Sequence, residues 1–177
     1  VTMSSDQVYY GVRASEPSTE EESLTPVSVY GRHKLEAEGA VLSVCPYAVI
    51  LRLTWLFDLP VRGLKTNRNL LTGILSAALT GTGASYFVHD FRGITYTEDL
   101  ISVFGSILEL PGGIYNTGSD NTLSTYDTAL YAAALMGISH PGRLIRKNEA
   151  AFRDSPRNLR MSGRKLAAAG IRFPDTK

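Results

Sequence analysis

The 177-residue chain is poor in the residues that would commit it early: one cysteine, one tryptophan and three histidines, with eighteen Lys+Arg against seventeen Asp+Glu for a net charge of +1. A single cysteine excludes an internal disulfide framework and a cysteine-rich zinc site. His33, His89 and His140 are dispersed without metal-ligand spacing, so no metal is expected. The balanced charge makes no electrostatic case for nucleic acid or an anionic membrane as partner. The longest apolar stretch, residues 47–57, is interrupted by Arg52 and too short to span a bilayer. With no signal peptide in view, a cytoplasmic location is the expectation. What is present, 44% hydrophobic and 20% charged residues, suits one globular domain with a real core.

Residues 1–8 read as a strand, followed by a polar loop in which Glu20, Glu21 and Glu22 form a solvated acidic run. Residues 28–44 carry Val29, Leu35, Ala37, Ala40, Val41 and Val44 at helical spacing, with Arg32, Lys34, Glu36 and Glu38 on the other face. The apolar run 47–57 suits a parallel strand covered on both sides. A loop with Arg62, Lys65 and Arg68 leads to a helix over 69–79, closed by Gly81. A short strand is predicted at 86–89. Thr95 and Glu98 have capping-box spacing, predicting a helix to about residue 110. Further elements are a strand at 113–117, a helix at 126–136 capped by Ser124, a short strand at 143–146 and a last helix at 162–169. Strands alternating with helices mean an α/β fold with parallel pairing.

Chemistry concentrates at the end of the first strand and the helix after it. Tyr30 and Lys34 are four residues apart, which puts phenol and ammonium on one helical face. A fixed cation beside a tyrosine favours the phenolate and suits the residue to proton transfer near neutral pH. A serine at the end of the preceding strand, Ser4 or Ser5, could bind the carbonyl oxygen that Tyr30 protonates. Tyr-x-x-x-Lys also occurs by chance on many helices, so context has to carry the assignment.

That context is the ordered set Ser4-Ser5-Asp6-Gln7-Val8-Tyr9, then Pro26 through Tyr30-Gly31 to Lys34, then Arg52 through Trp55. It resembles the dTDP-4-dehydrorhamnose reductase branch of the extended short-chain dehydrogenase/reductase superfamily, and the likeness continues through 87–101, 113–137 and 155–171. The resemblance implies a partial NAD(P)-binding Rossmann-type parallel sheet with a small C-terminal substrate-binding subdomain. Residues 1–57 would be the C-terminal part of the Rossmann-type domain, and 58–177 mostly the substrate-binding subdomain with late Rossmann elements. It implies reduction of the 4-keto group of a nucleotide-linked deoxysugar by NADPH or NADH, with the nucleotide sugar as partner. Oligomeric state is left open, a homodimer among the options.

Under this resemblance Ser5 polarises the keto oxygen, Tyr30 delivers the proton, and Lys34 assists its ionisation and holds the nicotinamide ribose. Ser4 and Leu53 lie beside the cofactor, and Trp55 lies against the sugar. Arg62 and Arg92 are placed to meet the substrate's diphosphate. At the terminal motif Ser155 stands where relatives usually carry arginine. Such reductases begin with a strand, a G-x-x-G-x-x-G turn and a helix. The chain opens on Val1 without them, so it is expected to be a fragment that starts near the fifth strand and binds NADPH poorly by itself, with a sheet edge prone to association. Two other readings within the superfamily are a non-catalytic regulatory subunit like that of methionine adenosyltransferase, and a sugar-nucleotide epimerase or dehydratase. Trp55 leans away from the first. Gln7 after Asp6, where a dehydratase carries a second acid, counts against a dehydratase.

Overall fold

The computed structural model describes residues 1–13, 15–61, 63 and 67–177. Strand β1 (Thr2–Ser5) runs into a 3-10 turn, Asp6–Tyr9, and the chain reaches helix α1 (Val29–Val44). Strands β2 (Val49–Leu53) and β3 (Trp55–Phe57), helix α2 (Leu70–Thr80), and the short strands β4 (Ala84–Phe87), β5 (Asp90–Phe91) and β6 (Ile94–Tyr96) follow. Then come α3 (Thr97–Leu108), β7 (Gly113–Thr117), α4 (Thr125–Leu135), α5 (Pro141–Leu144), β8 (Ile145–Asn148), β9 (Arg157–Asn158) and α6 (Arg164–Ala168).

The main sheet is parallel, in the order β1-β2-β7, and three further parallel pairs form: β3 with β6, β4 with β8, and β5 with β9. One face of the main sheet buries Val49, Leu51 and Tyr115 against Leu100 and Ile107 of α3 and Leu166 of α6. A second core, around Ile74 of α2, Ile94 of β6, Ala129 and Ala133 of α4 and Ile145 of β8, sits under the small strands. The α/β class and the parallel pairing are as expected. No helix among the described residues is long and apolar enough to cross a membrane.

The other face of the main sheet meets α1 through polar groups. Strand register sets Ser4, Arg52 and Asn116 side by side across β1, β2 and β7. Over this row lies Glu38 of α1, only 2% exposed. Its Oε1 accepts from Ser4 Oγ at 2.5 Å and Arg52 Nε at 3.0 Å, and its Oε2 accepts from Arg52 Nη2 at 2.7 Å. Arg52 Nη1 donates to the Tyr9 hydroxyl at 2.8 Å, which lies 2.7 Å from Asn116 Oδ1. Burial disfavours the Arg52 charge, but its bonds to Glu38 and the facing Tyr9 phenol outweigh this and raise its pKa.

Several expectations are corrected here. Glu38, placed on the solvent face of its helix, is buried, while Val44 is 87% exposed. The apolar residues of α1 are spread around the helix, so the ion pair decides which side goes in. The first strand stops at Ser5, because Ser5 Oγ accepts from the Gln7 amide and starts the 3-10 turn. The run 47–57 breaks at Thr54: Thr54 N still donates to Thr117 O of β7, but Trp55 N donates to Gly93 O, so the chain changes partners. Thr95 is no helix cap. It lies in β6, and α3 begins two residues later without a side-chain cap. Residues 141–144 form a helical turn started by Pro141, which moves the strand there to Ile145–Asn148. Within the acidic run Glu20 is engaged, its Oε1 accepting from the Asn116 amide at 2.7 Å.

Two outcomes are expected. Arg52→Met strands the Glu38 carboxylate and costs about 3–5 kcal/mol in chemical denaturation, whereas Glu38→Leu with Arg52→Met together costs clearly less than the two single changes summed. Burial pushes the Tyr9 phenol from 10.0 up to about 12, with Arg52 and Asn116 opposing. Unfolded chains therefore release this proton before folded ones do, which favours unfolding as pH rises. The stability difference between wild type and Tyr9→Phe is expected to hold steady below pH 10 and to shift against wild type between pH 10 and about 12, followed by denaturant midpoints.

Candidate active site

Ser5, Leu53 and Thr117 are the last residues of β1, β2 and β7, so they share the C-terminal edge of the sheet, where open α/β sheets bind ligands. The start of α1 is held to that edge. Ser28 caps the helix by accepting from the Gly31 amide at 3.0 Å. Gly31 packs so closely on the turn after β1 that a Cβ would come within 2.3 Å of Gln7 O. Tyr30, beside that contact, is 55% exposed. Lys34 Nζ donates to Met3 O of β1 at 3.0 Å and lies 5.8 Å from the centroid of the Tyr30 ring. Phenol and ammonium thus share one helical face, and the ammonium is fastened to the strand that ends in Ser5.

Ser4 and Ser5 part company. The Ser4 hydroxyl is buried on Glu38, which takes it away from the open edge where a cofactor contact was expected. Ser5 Oγ donates to Asp6 Oδ1 at 3.1 Å. Asp6 is buried, and its Oδ2 accepts from Arg92 Nε at 3.2 Å and Nη2 at 2.5 Å. The Arg92 guanidinium carbon lies 5.4 Å from the centroid of the Trp55 ring. Arg92, expected to face a diphosphate, bonds Asp6 and also lines the cleft beside Trp55. Leu53 is half-buried at the rim of the main core. Arg62 and Lys65 lie outside the described residues.

Trp55 and Arg92 are placed by a tight polar crossing beyond the strand ends. The Thr54 and Thr95 hydroxyls are 2.5 Å apart, and Thr95 Oγ1 accepts from the Ser119 amide at 2.7 Å. Gly118 has φ +132°, and a Cβ there would meet Thr54 Oγ1 at 2.3 Å. Asn121 Nδ2 donates to Arg92 O and to Thr128 Oγ1. A cleft of about 490 Å³ opens beside this crossing, lined by Trp55, Arg68, Tyr86, Phe87, Arg92 and Arg157 among others. Arg157 is paired with the buried Asp90 at 2.8 Å, and its guanidinium carbon is 4.2 Å from the centroid of Phe152. The sequence reading missed Asp6, Asp90 and Glu38 as anchors. Asp6 directly follows β1, Asp90 opens β5 and Glu38 lies in α1, where Lys34 four residues earlier makes it read as half of a surface pair. Among the described residues no group of three His, Cys, Asp or Glu is placed to hold a metal.

A family model described as the RmlD substrate binding domain matches residues 1–176. The chain is 33% identical to a probable dTDP-4,6-dihydroxy-2-methyloxan-3-one 4-ketoreductase of Streptomyces antibioticus over 86% of this chain and 50% of that protein. It is 32% identical to a dTDP-4-dehydrorhamnose reductase of Mycolicibacterium smegmatis over 73% of this chain and 38% of that protein. In fold it resembles the solved dTDP-4-dehydrorhamnose reductase of Bacillus anthracis in complex with NADP, with a TM-score of 0.81 at 18% identity, covering 99% of this chain and 61% of that one. The chain spans about half the length of the curated relatives it matches.

The crossing makes its own forecast. Gly118→Ala adds both left-handed strain and a collision with Thr54, and is expected to cost about 3 kcal/mol in thermal or chemical denaturation. Gly39→Ala, in α1 with open space at its Cβ, serves as control and is expected to stabilise by about 0.5–1 kcal/mol.

Proposed function

The chain belongs to the RmlD substrate binding domain family, and we propose that it forms the catalytic and sugar-binding part of an NAD(P)H-dependent reductase of a nucleotide-linked 4-keto deoxysugar. The observation that carries this reading is the Tyr30–Lys34 pair, with Lys34 hydrogen-bonded to β1, at the edge that ends in Ser5. Residues 1–57 supply that pair and two strands of the sheet. Residues 58–177 supply the third strand, β7, and, apart from Trp55, the walls of the cleft.

Bound NADPH or NADH supplies the hydride for the carbonyl carbon. The residues present fit the nicotinamide end of such a cofactor. Lys34 spends one N–H on Met3 O, and an ammonium has three, so two remain for ribose hydroxyls. Leu53 offers an apolar flank at the strand end. As the carbonyl oxygen gains negative charge, Ser5 donates a hydrogen bond to it and Tyr30 gives it the phenolic proton. The Lys34 ammonium stabilises the resulting phenolate through space. Trp55 presents a flat apolar face for the deoxysugar, and Arg68 beside Tyr86 and Phe87 suits the diphosphate and base of a nucleotide.

Tyr30→Phe, made in the gene product that includes this chain, is expected to lower turnover of dTDP-4-dehydrorhamnose by about a hundredfold or more while NADPH affinity stays within about threefold. The assay is NADPH consumption with the keto sugar, alongside a cofactor titration. Turnover near the wild-type rate would remove Tyr30 as proton donor and this reading with it.

A further inference from the structure

A serine hydroxyl carries one proton, and that of Ser5 is already in use. It is donated to Asp6 Oδ1 at 3.1 Å, while Oγ accepts from the Gln7 amide at 3.2 Å. To hold a substrate carbonyl, Ser5 has to exchange the Asp6 oxygen for the substrate's. The ease of that exchange depends on how much negative charge Asp6 leaves on Oδ1. Two features of the geometry weaken the hold of Asp6. The Ser5 bond is long for a hydroxyl on a carboxylate, where about 2.5–2.7 Å is usual. The other oxygen, Oδ2, takes two bonds from Arg92, the shorter at 2.5 Å.

Arg92 is itself fixed. Its side chain is 13% exposed, its guanidinium lies over Trp55, its carbonyl accepts from Asn121, and the next carbonyl, that of Gly93, accepts from the Trp55 amide. One side chain therefore touches both the acid that holds Ser5 and the ring that faces the sugar.

Resting on the reductase reading, we propose that Arg92 is a positioning residue for Ser5: by neutralising Asp6 it keeps the Ser5 hydroxyl loosely held and ready for the keto oxygen, and by stacking on Trp55 it couples that readiness to sugar binding. Without Arg92 a buried, uncompensated carboxylate would grip the Ser5 proton. Substrate would still bind, but its carbonyl would be polarised less, so the loss belongs in kcat rather than KM.

The test is steady-state kinetics with dTDP-4-dehydrorhamnose and NADPH on four forms of the gene product: wild type, Arg92→Lys, Arg92→Met, and Asp6→Asn combined with Arg92→Met. Arg92→Met is expected to lower kcat about tenfold or more with KM within about threefold. Arg92→Lys keeps the charge and is expected to hold kcat within about threefold of wild type. The double variant removes acid and base together and is expected to recover most of the kcat lost in Arg92→Met. A double variant as slow as Arg92→Met or slower would mean a structural role only, and would overturn the proposal. A loss confined to KM would make Arg92 a diphosphate ligand and overturn it equally. Wild-type protein without turnover would instead bring down the reductase reading, and the proposal with it.

Discussion

Glu38 holds a charge where water cannot reach it, and much of the molecule is arranged around that fact. An unpaired carboxylate at such depth would cost several kcal/mol, so α1 can pack only where Ser4 and Arg52 meet it. Those two belong to different strands and lie opposite one another in the register of the main sheet. Sliding β2 by one residue would turn Arg52 to the far face and bring an apolar side chain under Glu38. The same pair thus fixes the register of two strands and the rotation of the helix upon them. Tyr30 and Lys34 stand two turns and one turn before Glu38 on that helix, so their placement against β1 follows from it.

The second constraint begins where the first ends. Past Leu53 the chain must leave the sheet and still deliver Trp55 near Ser5. It does so by trading partners at Thr54, within a crossing too tight for any side chain at Gly93 or Gly118. A Cβ on Gly93 would come within 2.0 Å of Ser119 O. The crossing joins β3, β6 and the segment after β7, which come from distant parts of the chain. Trp55 and the strand that ends in Leu53 are therefore held by backbone contact rather than by a flexible linker. Phe152, with φ 61°, shows a related expedient: a non-glycine residue kept in the left-handed region, where its ring covers Arg157 and meets Phe87 edge-on.

Local signals in the sequence were legible where a single residue sets the backbone. Ser124 caps α4, and Gly81 ends α2 with φ +70°. The Tyr30–Lys34 pair was legible for the same reason, since four residues on a helix make one face. What could not be seen depended on partners far along the chain. Glu38 reads as a surface residue until Arg52 is set beneath it, and Arg52 reads as a defect in an apolar strand until Glu38 is set above. Thr95 has the spacing of a helix cap, yet its hydroxyl is claimed by Thr54 and the Ser119 amide. Arg92 has the look of an anion ligand because Asp6, its partner, lies 86 positions away.

Internal pairing also limits which cations an anion could meet. Arginine is the natural ligand for a diphosphate, and the sequence offers many. Among the described residues, however, Arg52, Arg92 and Arg157 each close on a carboxylate that is almost wholly buried, and Arg160 pairs with Asp120. Arg52, Arg92 and Arg157 cannot leave their acids without stranding a buried carboxylate. Four arginines are thus spent in internal pairs that fix strands and turns. Arg68 is placed differently: it is exposed, stands at the cleft mouth, and its field reaches Tyr86, whose phenol burial pushes upward. If the proposed nucleotide sugar binds in this cleft, few cations and several aromatic faces would meet its phosphates, and selectivity would rest on the shape of the walls around Trp55 more than on the number of arginines.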